Sequence, residues 1–423
     1  MFSRSHKQPA RRKRRSLTPK GARTRQALLQ SARQVFEREG YAAASVSQIG
    51  RHCGVSQGTF YQYFRNKEQV FRELIDSVLQ DFWDRSQGLS SQDQDQALVE
   101  VAALALDHCR QNQALHRVLN EFELIESVTI SYYDSIARFF RGFFRRAAEE
   151  GRFRALDPNV TAYSLLGMAT FLQRDLGLAP GRRRDEPDAR LCADFLARGI
   201  SGTKPWQPPP ELDPPVPAPE HDNHLHWEEA GAAGKRTQRA IFQAAEQVLG
   251  QLGYSGASIS EITRRAGVAQ GTFYVHFKSK EELMDGVVRF LSHELRRQLR
   301  QATDRVQDRR DKEIEGMRAF YHFLGQHSQI YRIVSESEVI VPPSATYYYS
   351  KLAAGYAASL EQGIAKDEIR ALPLDFMVAC LMGISHMLGL RWLVWNSSPH
   401  PEIPAQVFSD AVELVLFGLL AEG

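Results

Sequence analysis

Apolar positions along this chain fall in helical rather than strand periods. Leu28, Ala32, Val35 and Phe36 stand at i, i+4, i+7 and i+8, the stripe of an amphipathic helix, and Ile241, Ala245, Val248 and Leu249 repeat it. Gly40 and Gly253 then sit where a left-handed helix end is easiest. Ser45 and Ser258 are placed to N-cap a second helix, which carries Val46 and Ile49 or Ile259 and Ile262. Gly54-Val55 and Gly267-Val268 break the chain before a third. Farther on, residues 99–109, 135–149 and 160–172 read as helices, with counterparts at 316–324, 347–362, 375–395 and 405–420. The expected fold class is all-α.

The two stripes belong to one segment written twice. Residues 24–74 and 237–287 align without a gap at a shift of 213, with 23 of 51 positions identical. A period this long, occurring once, marks a duplicated domain and not a solenoid. Arg117, Glu121 and Glu123 match Arg332, Glu336 and Glu338, so the whole unit was duplicated and its later part diverged more. Helix, tight glycine turn, helix is the helix-turn-helix arrangement. The expected organisation is a disordered basic arm (1–20), a first helix-turn-helix domain (21–68) and a first helical regulatory domain (69–200). A Pro-rich linker (201–234), a second helix-turn-helix domain (235–281) and a second regulatory domain (282–423) follow.

Charge sharpens this picture at two places. The first 25 residues hold ten Lys or Arg and no Asp or Glu, and Arg11, Arg12, Lys13, Arg14 and Arg15 form a block that repels itself and buries nothing. Beside a DNA-binding module its expected role is an arm on phosphates or in a minor groove. Eight prolines between Pro205 and Pro219 forbid a continued helix and favour an extended linker, with a reach that does not restrict how the halves pair. Net charge is +3, and 43% of residues are apolar. The most apolar stretch, residues 376–395, is interrupted by His386 and Arg391 and reads as a buried helix rather than a membrane span. Four cysteines stand alone, and a reducing, cytoplasmic setting is expected. No nucleophile elbow, phosphate loop or HExxH is present, so no enzyme activity is expected. No cofactor or metal site is expected either: His221, His224 and His226 lie in the linker without other ligands.

The segment Val46 to Glu68 makes a resemblance specific. Ile49, Gly54-Val55, Gly58-Thr59-Phe60-Tyr61, Phe64 and Lys67-Glu68, with the same set 213 residues later, resemble the TetR family of bacterial transcriptional regulators. Phe60 and Phe64, like Phe273 and Phe277, share one helix face and are expected to lock a short third helix into its domain core. Thr59, Tyr61 and Tyr63, or Thr272, Tyr274 and His276, then point toward the groove and its walls. Gln57 and Gln270 can pair bidentately with adenine, although many family members carry Lys or Arg there. The first turns of the third helices, around Ser56, Gln57, Gly58 and Thr59 or Gln270, Gly271 and Thr272, offer small side chains for close approach to a duplex. The resemblance implies phosphate contacts by Tyr61, Tyr63 and Lys67, and by Tyr274, His276 and Lys280. Ser45 and Ser258 complete the expected DNA-facing set. Ser56, Gln62 and Tyr63 become Ala269, Val275 and His276 in the second copy, so the expected operator has unequal half-sites.

The resemblance further implies release of double-stranded DNA when a small molecule fills the helical domain, and a four-helix interface built by the last two helices of each unit. Here residues 160–172 and 191–199 are expected to pair with 375–395 and 405–420 inside one chain, as a pseudo-dimer; a homodimer with four heads is the alternative. A small apolar or aromatic effector is expected among aromatic residues, with Tyr132, Tyr133 and Phe140 in the first half and Tyr347, Tyr348 and His386 in the second as candidate lining. The function expected is a cytoplasmic, nucleoid-associated, ligand-responsive repressor. The rival class is a helical ligand-binding or interaction protein whose second head no longer reads DNA.

Overall fold

Among the described residues each half of the chain is a run of nine α-helices. The computed structural model describes residues 18–89, 91, 93–119, 121, 128–178, 188–210, 212, 233–396, 398 and 401–420. The basic block at 11–15 and the three linker histidines lie outside them. In the first half the helices are α1 (Pro19–Glu39), α2 (Val46–Cys53), α3 (Gln57–Tyr63), α4 (Lys67–Ser86), α5 (Gln94–Gln111), α6 (Gln113–Leu119), α7 (Ile130–Glu149), α8 (Pro158–Phe171) and α9 (Asp188–Arg198). The second half repeats them as α10 (Ala233–Gly256), α11 (Ile259–Arg265), α12 (Gln270–His276), α13 (Lys280–Thr303), α14 (Arg309–Gln326), α15 (Ser328–Ile340), α16 (Pro342–Ala365), α17 (Leu374–Gly389) and α18 (Ala405–Phe417). Among the described residues the fold is all-α, with one isolated bridge between Ser201 and Ile369.

Local sequence accounts for the ends of these helices. Ser45 Oγ accepts from Gln48 N while Gln48 Oε1 accepts from Ser45 N, a reciprocal capping box at α2. Ser258 caps α11 through Glu261 N. Asp93 and Asp308 cap α5 and α14, which therefore begin earlier than the apolar pattern suggests, because their first turns carry polar residues. Gly253 has φ 67° and breaks α10 where Gly40, at φ 82°, ends α1.

The halves meet through α8, α9, α17 and α18. Gly167 on α8 faces Gly383 on α17, and a Cβ on either would collide with the carbonyl of the other, so only glycine permits this crossing. Around it the contacts are reciprocal. Ile200 N and Ser201 N donate to Val415 O and Leu416 O at 2.9 and 3.0 Å, while Leu419 N and Leu420 N donate to Leu196 O and Ala197 O at 2.7 and 2.9 Å. Arg154 N donates to Leu419 O and Arg370 N to Ile200 O, both at 2.8 Å; the Arg154 side chain pairs with Glu413 and that of Arg370 with Asp194. Each side gives what it receives, the mark of a two-fold arrangement.

α17 with its π-turn Leu390–Val394 is long and apolar enough to cross a membrane. It is buried here against α8 instead. The start of the linker is also anchored. Gly202 N and Lys204 N donate to Glu368 O and Asp367 O, Lys204 pairs with Glu368 at 2.7 Å, and Trp206 Nε1 donates to Asp311. Residues 201–206 thus dock on the second half, where the proline content alone suggests a free spacer.

Candidate nucleic-acid interface and effector cavity

The two short helices α3 and α12 show one burial pattern. Phe60 and Phe64 are buried with ring centroids 5.6 Å apart, as are Phe273 and Phe277. This anchors one face and turns the other outward. Tyr61 is 52% exposed and Tyr274 54%, while Val275 reaches 79%, unusual for an apolar side chain in a folded domain. Gln57, Gly58, Gln62, Gln270 and Gly271 are exposed; Thr59, Tyr63, Thr272 and His276 are half-buried. A Cβ on Gly271 would meet nothing within 4 Å, and one on Gly58 only Ser56 Oγ at 3.7 Å. Packing inside the chain therefore does not require these glycines.

The heads differ at the first turn. Ser56 Oγ accepts from Thr59 N at 3.2 Å and lies 3.0 Å from Thr59 Oγ1, so these hydroxyls hold each other. Ala269 offers no side-chain cap to α12. In the second head Arg264 is paired with Glu261 and Arg265 donates to Gln251 at 3.0 Å.

Lys67 and Lys280 each hold a turn in addition to any role at DNA. Lys67 Nζ donates to Tyr41 O and Ala42 O at 2.7 and 3.2 Å and lies 4.3 Å from the centroid of the Tyr41 ring. Lys280 does the same with Tyr254 O and Ala257 O, over the Tyr254 ring at 4.0 Å. Opposite them, Glu121 accepts from Tyr41 N and Ala42 N at 2.6 and 2.8 Å, and Glu336 from Tyr254 N at 2.9 and 3.1 Å. A cation and a buried carboxylate hold each Gly-Tyr turn from two sides, and any phosphate contact by these lysines competes with that task. The repeat already matched Glu121 to Glu336, and in both copies the turn's amides donate to that carboxylate.

The candidate effector residues separate into two groups. A cavity of about 420 Å³ lies in the second half between α13, α14, α16 and α17, with Tyr348, Tyr349, Met382 and His386 among its lining and Phe171 entering from the first half. A smaller one of about 240 Å³ lies between the halves, where Tyr133, Tyr349 and His386 meet Arg174 and Glu338, which are paired at 2.9 Å. Tyr132, Phe140 and Tyr347 line neither. Phe140 is fully buried against Phe82 at 5.7 Å between centroids, and Tyr347 packs on the outside under Arg289. Tyr132 is fully buried with its hydroxyl 2.7 Å from His108 Nε2 and 3.0 Å from His116 Nε2. Burial lowers His108 to a pKa of about 3 and His116 to about 4, so both imidazoles are neutral.

The reason for the difference is visible in single positions. Six residues after the second tyrosine of each Tyr-Tyr pair stands Phe139 in α7 but Gly355 in α16. Phe139 packs on Trp83 at 6.1 Å and closes the first half; Gly355 lines the cavity and leaves the second half open.

The family model described as "Bacterial regulatory proteins, tetR family" matches residues 28–74 and again 241–287, the three-helix heads with the start of the following helix. Both heads are therefore TetR-type DNA-binding domains. They are two copies in tandem, one in each half. Among curated relatives, the HTH-type transcriptional activator FasR of Mycolicibacterium smegmatis is 35% identical over 100 residues, 24% of this chain and 46% of FasR. The nucleoid occlusion factor SlmA of Aliivibrio fischeri is 24% identical over 193 residues, covering 42% of this chain and 98% of SlmA. The chain thus spans about half the length of FasR and almost all of SlmA. A solved structure, the fatty acid degradation regulator FadR from Bacillus halodurans, is 18% identical with a TM-score of 0.38, covering 44% of this chain and 97% of that one.

Beyond these TetR-type heads, the residues whose roles the sequence pattern did not show are charged. Glu121 and Glu336 tie the heads to the helical domains, and Arg296, Arg300, Lys312 and Lys351 line the second-half cavity. Aromatic rings alone do not mark an effector site, because they are as common in filled cores. Comparing the copies position by position, Phe139 against Gly355, was the available signal.

Proposed function

We propose that the chain is a sequence-specific DNA-binding transcriptional regulator of the bacterial cytoplasm, a ligand-responsive repressor that carries both halves of a TetR-type dimer in one polypeptide. The reciprocal backbone clasp between residues 196–201 and 415–420 carries this reading, because it joins the units as two subunits of a symmetric dimer join. In the proposal Gln57, Thr59, Tyr61, Gln62 and Tyr63 face one half-site, and Gln270, Thr272, Tyr274, Val275 and His276 face another. Gln62 against Val275 gives the heads different chemistry: an amide able to hydrogen-bond a base edge, and an apolar group suited to a thymine methyl. Gly58 and Gly271 admit the duplex backbone close to the helix start. Tyr61 and Tyr274 contribute to phosphate contact, which positions the heads without reading sequence. Ser45 and Ser258, occupied as N-caps, act at the DNA surface chiefly by holding α2 and α11. The second-half cavity is the effector site, and Glu336, two residues from the Glu338 that Tyr349 and Arg174 engage, connects it to the second head.

Gel-shift titration of the full chain on the gene's own upstream region tests this. Changing Thr59 and Tyr61 to alanine, or Thr272 and Tyr274, is expected to remove most specific affinity, since each good base contact is worth about 1–3 kcal/mol. The reading fails if neither pair matters while deletion of residues 1–20 abolishes binding. A reporter driven by that region distinguishes repression from the activation named for FasR.

A further inference from the structure

The lining of the second-half cavity differs from the equivalent first-half positions in charge as well as in side-chain size. Arg296 and Arg300 from α13, Lys312 from α14 and Lys351 from α16 all line it. Among the described residues none of the four is ion-paired, whereas neighbouring Arg289, Arg297 and Arg309 each have a carboxylate. The carboxylate in the lining, Glu313, is held by Arg309 at 2.7 Å and by the Tyr356 hydroxyl. Arg296 and Arg300 donate through Nε to Ser292 O and Arg296 O, which fixes the stems of their side chains. The equivalent first-half positions are Trp83, Gln87, Ala97 and Ser135, none of them cationic. Deeper lining is apolar: Met317, Phe320, Leu352 and Met382. Tyr348, also in the lining, is 2% exposed, and its hydroxyl has no hydrogen-bond partner.

We infer that this cavity takes an amphipathic anion, its apolar chain among Met317, Phe320, Leu352 and Met382 and its carboxylate or phosphate head on Arg296, Arg300, Lys312 and Lys351. Arg300 and Lys351 are exposed and Arg296 and Lys312 half-buried, which places the head at the mouth and the chain inside. Four like charges around one low-dielectric opening repel each other, and an anion relieves that repulsion while a neutral hydrocarbon does not. The unpartnered Tyr348 hydroxyl offers a further donor to a polar atom of the guest. The volume lies in the range of about 300–1,000 Å³ used for small ligands. This inference deepens the effector reading and rests on it only for the consequence to DNA binding.

Calorimetric titration of the full chain with dodecanoate, dodecyl phosphate, dodecanol and inorganic phosphate, below micelle thresholds, tests it. Both anions with a chain are expected to bind at least tenfold more tightly than dodecanol, and inorganic phosphate more weakly than either. A preference between them identifies the head. R296Q/R300Q and K312Q/K351Q are each expected to weaken dodecanoate or dodecyl phosphate by about fivefold, with dodecanol unchanged. G355F, which restores the first-half ring, is expected to abolish chain binding; circular dichroism verifies its fold, and M382W provides a second block from another helix. Equal affinity for dodecanol, or anion binding indifferent to both blocks, overturns the inference. Gel shifts with the same ligands separate the two claims. DNA released by dodecanol alone leaves the effector reading standing and removes the anion, whereas anion binding by a chain with no specific DNA affinity does the reverse.

Discussion

The two helical regulatory regions share a backbone plan and differ in how they are filled. In the first, Phe82, Trp83, Phe139 and Phe140 meet edge to face, and a buried set of neutral polar groups, His108, His116 and Tyr132, closes the space. In the second, Gly355 and Arg296 stand where Phe139 and Trp83 do, and a cavity remains. One duplicated plan is thus filled by aromatic rings at these first-half positions and left open at their second-half equivalents. An open site leaves stabilisation to be supplied by what it binds. The heads show the converse, with near-identical cores and divergent exposed faces.

The largest expected effect comes from removing a ring of the aromatic half. Phe140→Ala removes a fully buried ring and is expected to cost about 3–5 kcal/mol in urea unfolding. A cost below about 1 kcal/mol would show that the first half also repacks easily. Acid attacks the same half. His108 and His116 have folded pKa values of about 3 and 4, below the 6.5 of the exposed group, so the unfolded chain binds more protons between those values and 6.5. Their contribution is intact above pH 6.5 and is lost as pH falls through 4 and toward 3, on the order of 3 kcal/mol for each histidine by pH 4. Arg85 and Arg174 nearby oppose protonation further. Urea midpoints measured from pH 7 to 4.5 are expected to fall less steeply in His108→Phe, which installs the residue type of Phe323 at the equivalent place.

Smaller effects sharpen the comparison. Gly383→Ala sets a methyl against the Gly167 carbonyl and is expected to cost about 1–3 kcal/mol by forcing α8 and α17 apart. Gly355→Ala acts on an exposed helical position with nothing within 4 Å of the new Cβ, so it is expected to stabilise by about 0.5–1 kcal/mol. Gly271→Ala is expected to be equally benign for folding yet to weaken operator binding, read by thermal unfolding beside gel shift.

The heads were legible from sequence because burial there follows helical spacing: Phe60 with Phe64 inside and Tyr61 with Gln62 outside is a property of one short helix. The apolar helices α8, α17 and α18 were legible too, as helices; their pairing was implied by the resemblance and by no local pattern. The effector site was legible only in part. Tyr132 and Tyr348 occupy the same motif, yet one is sealed in a hydrogen-bonded core and the other lines a cavity. What decides is the residue across the gap, on another helix, and no local pattern contains it. The turn contacts of Lys67 and Lys280 were not legible for a related reason: the carbonyls they bind belong to a turn some 26 positions away.

The central claim is that one chain supplies both halves of the DNA-reading dimer. Sedimentation equilibrium of the full chain on a short labelled operator duplex tests it directly. The account predicts a saturated complex with one 47.9 kDa chain per duplex, and the same single-chain mass without DNA at micromolar concentration. Two chains per duplex, or a stable species of twice that mass in solution, would contradict it.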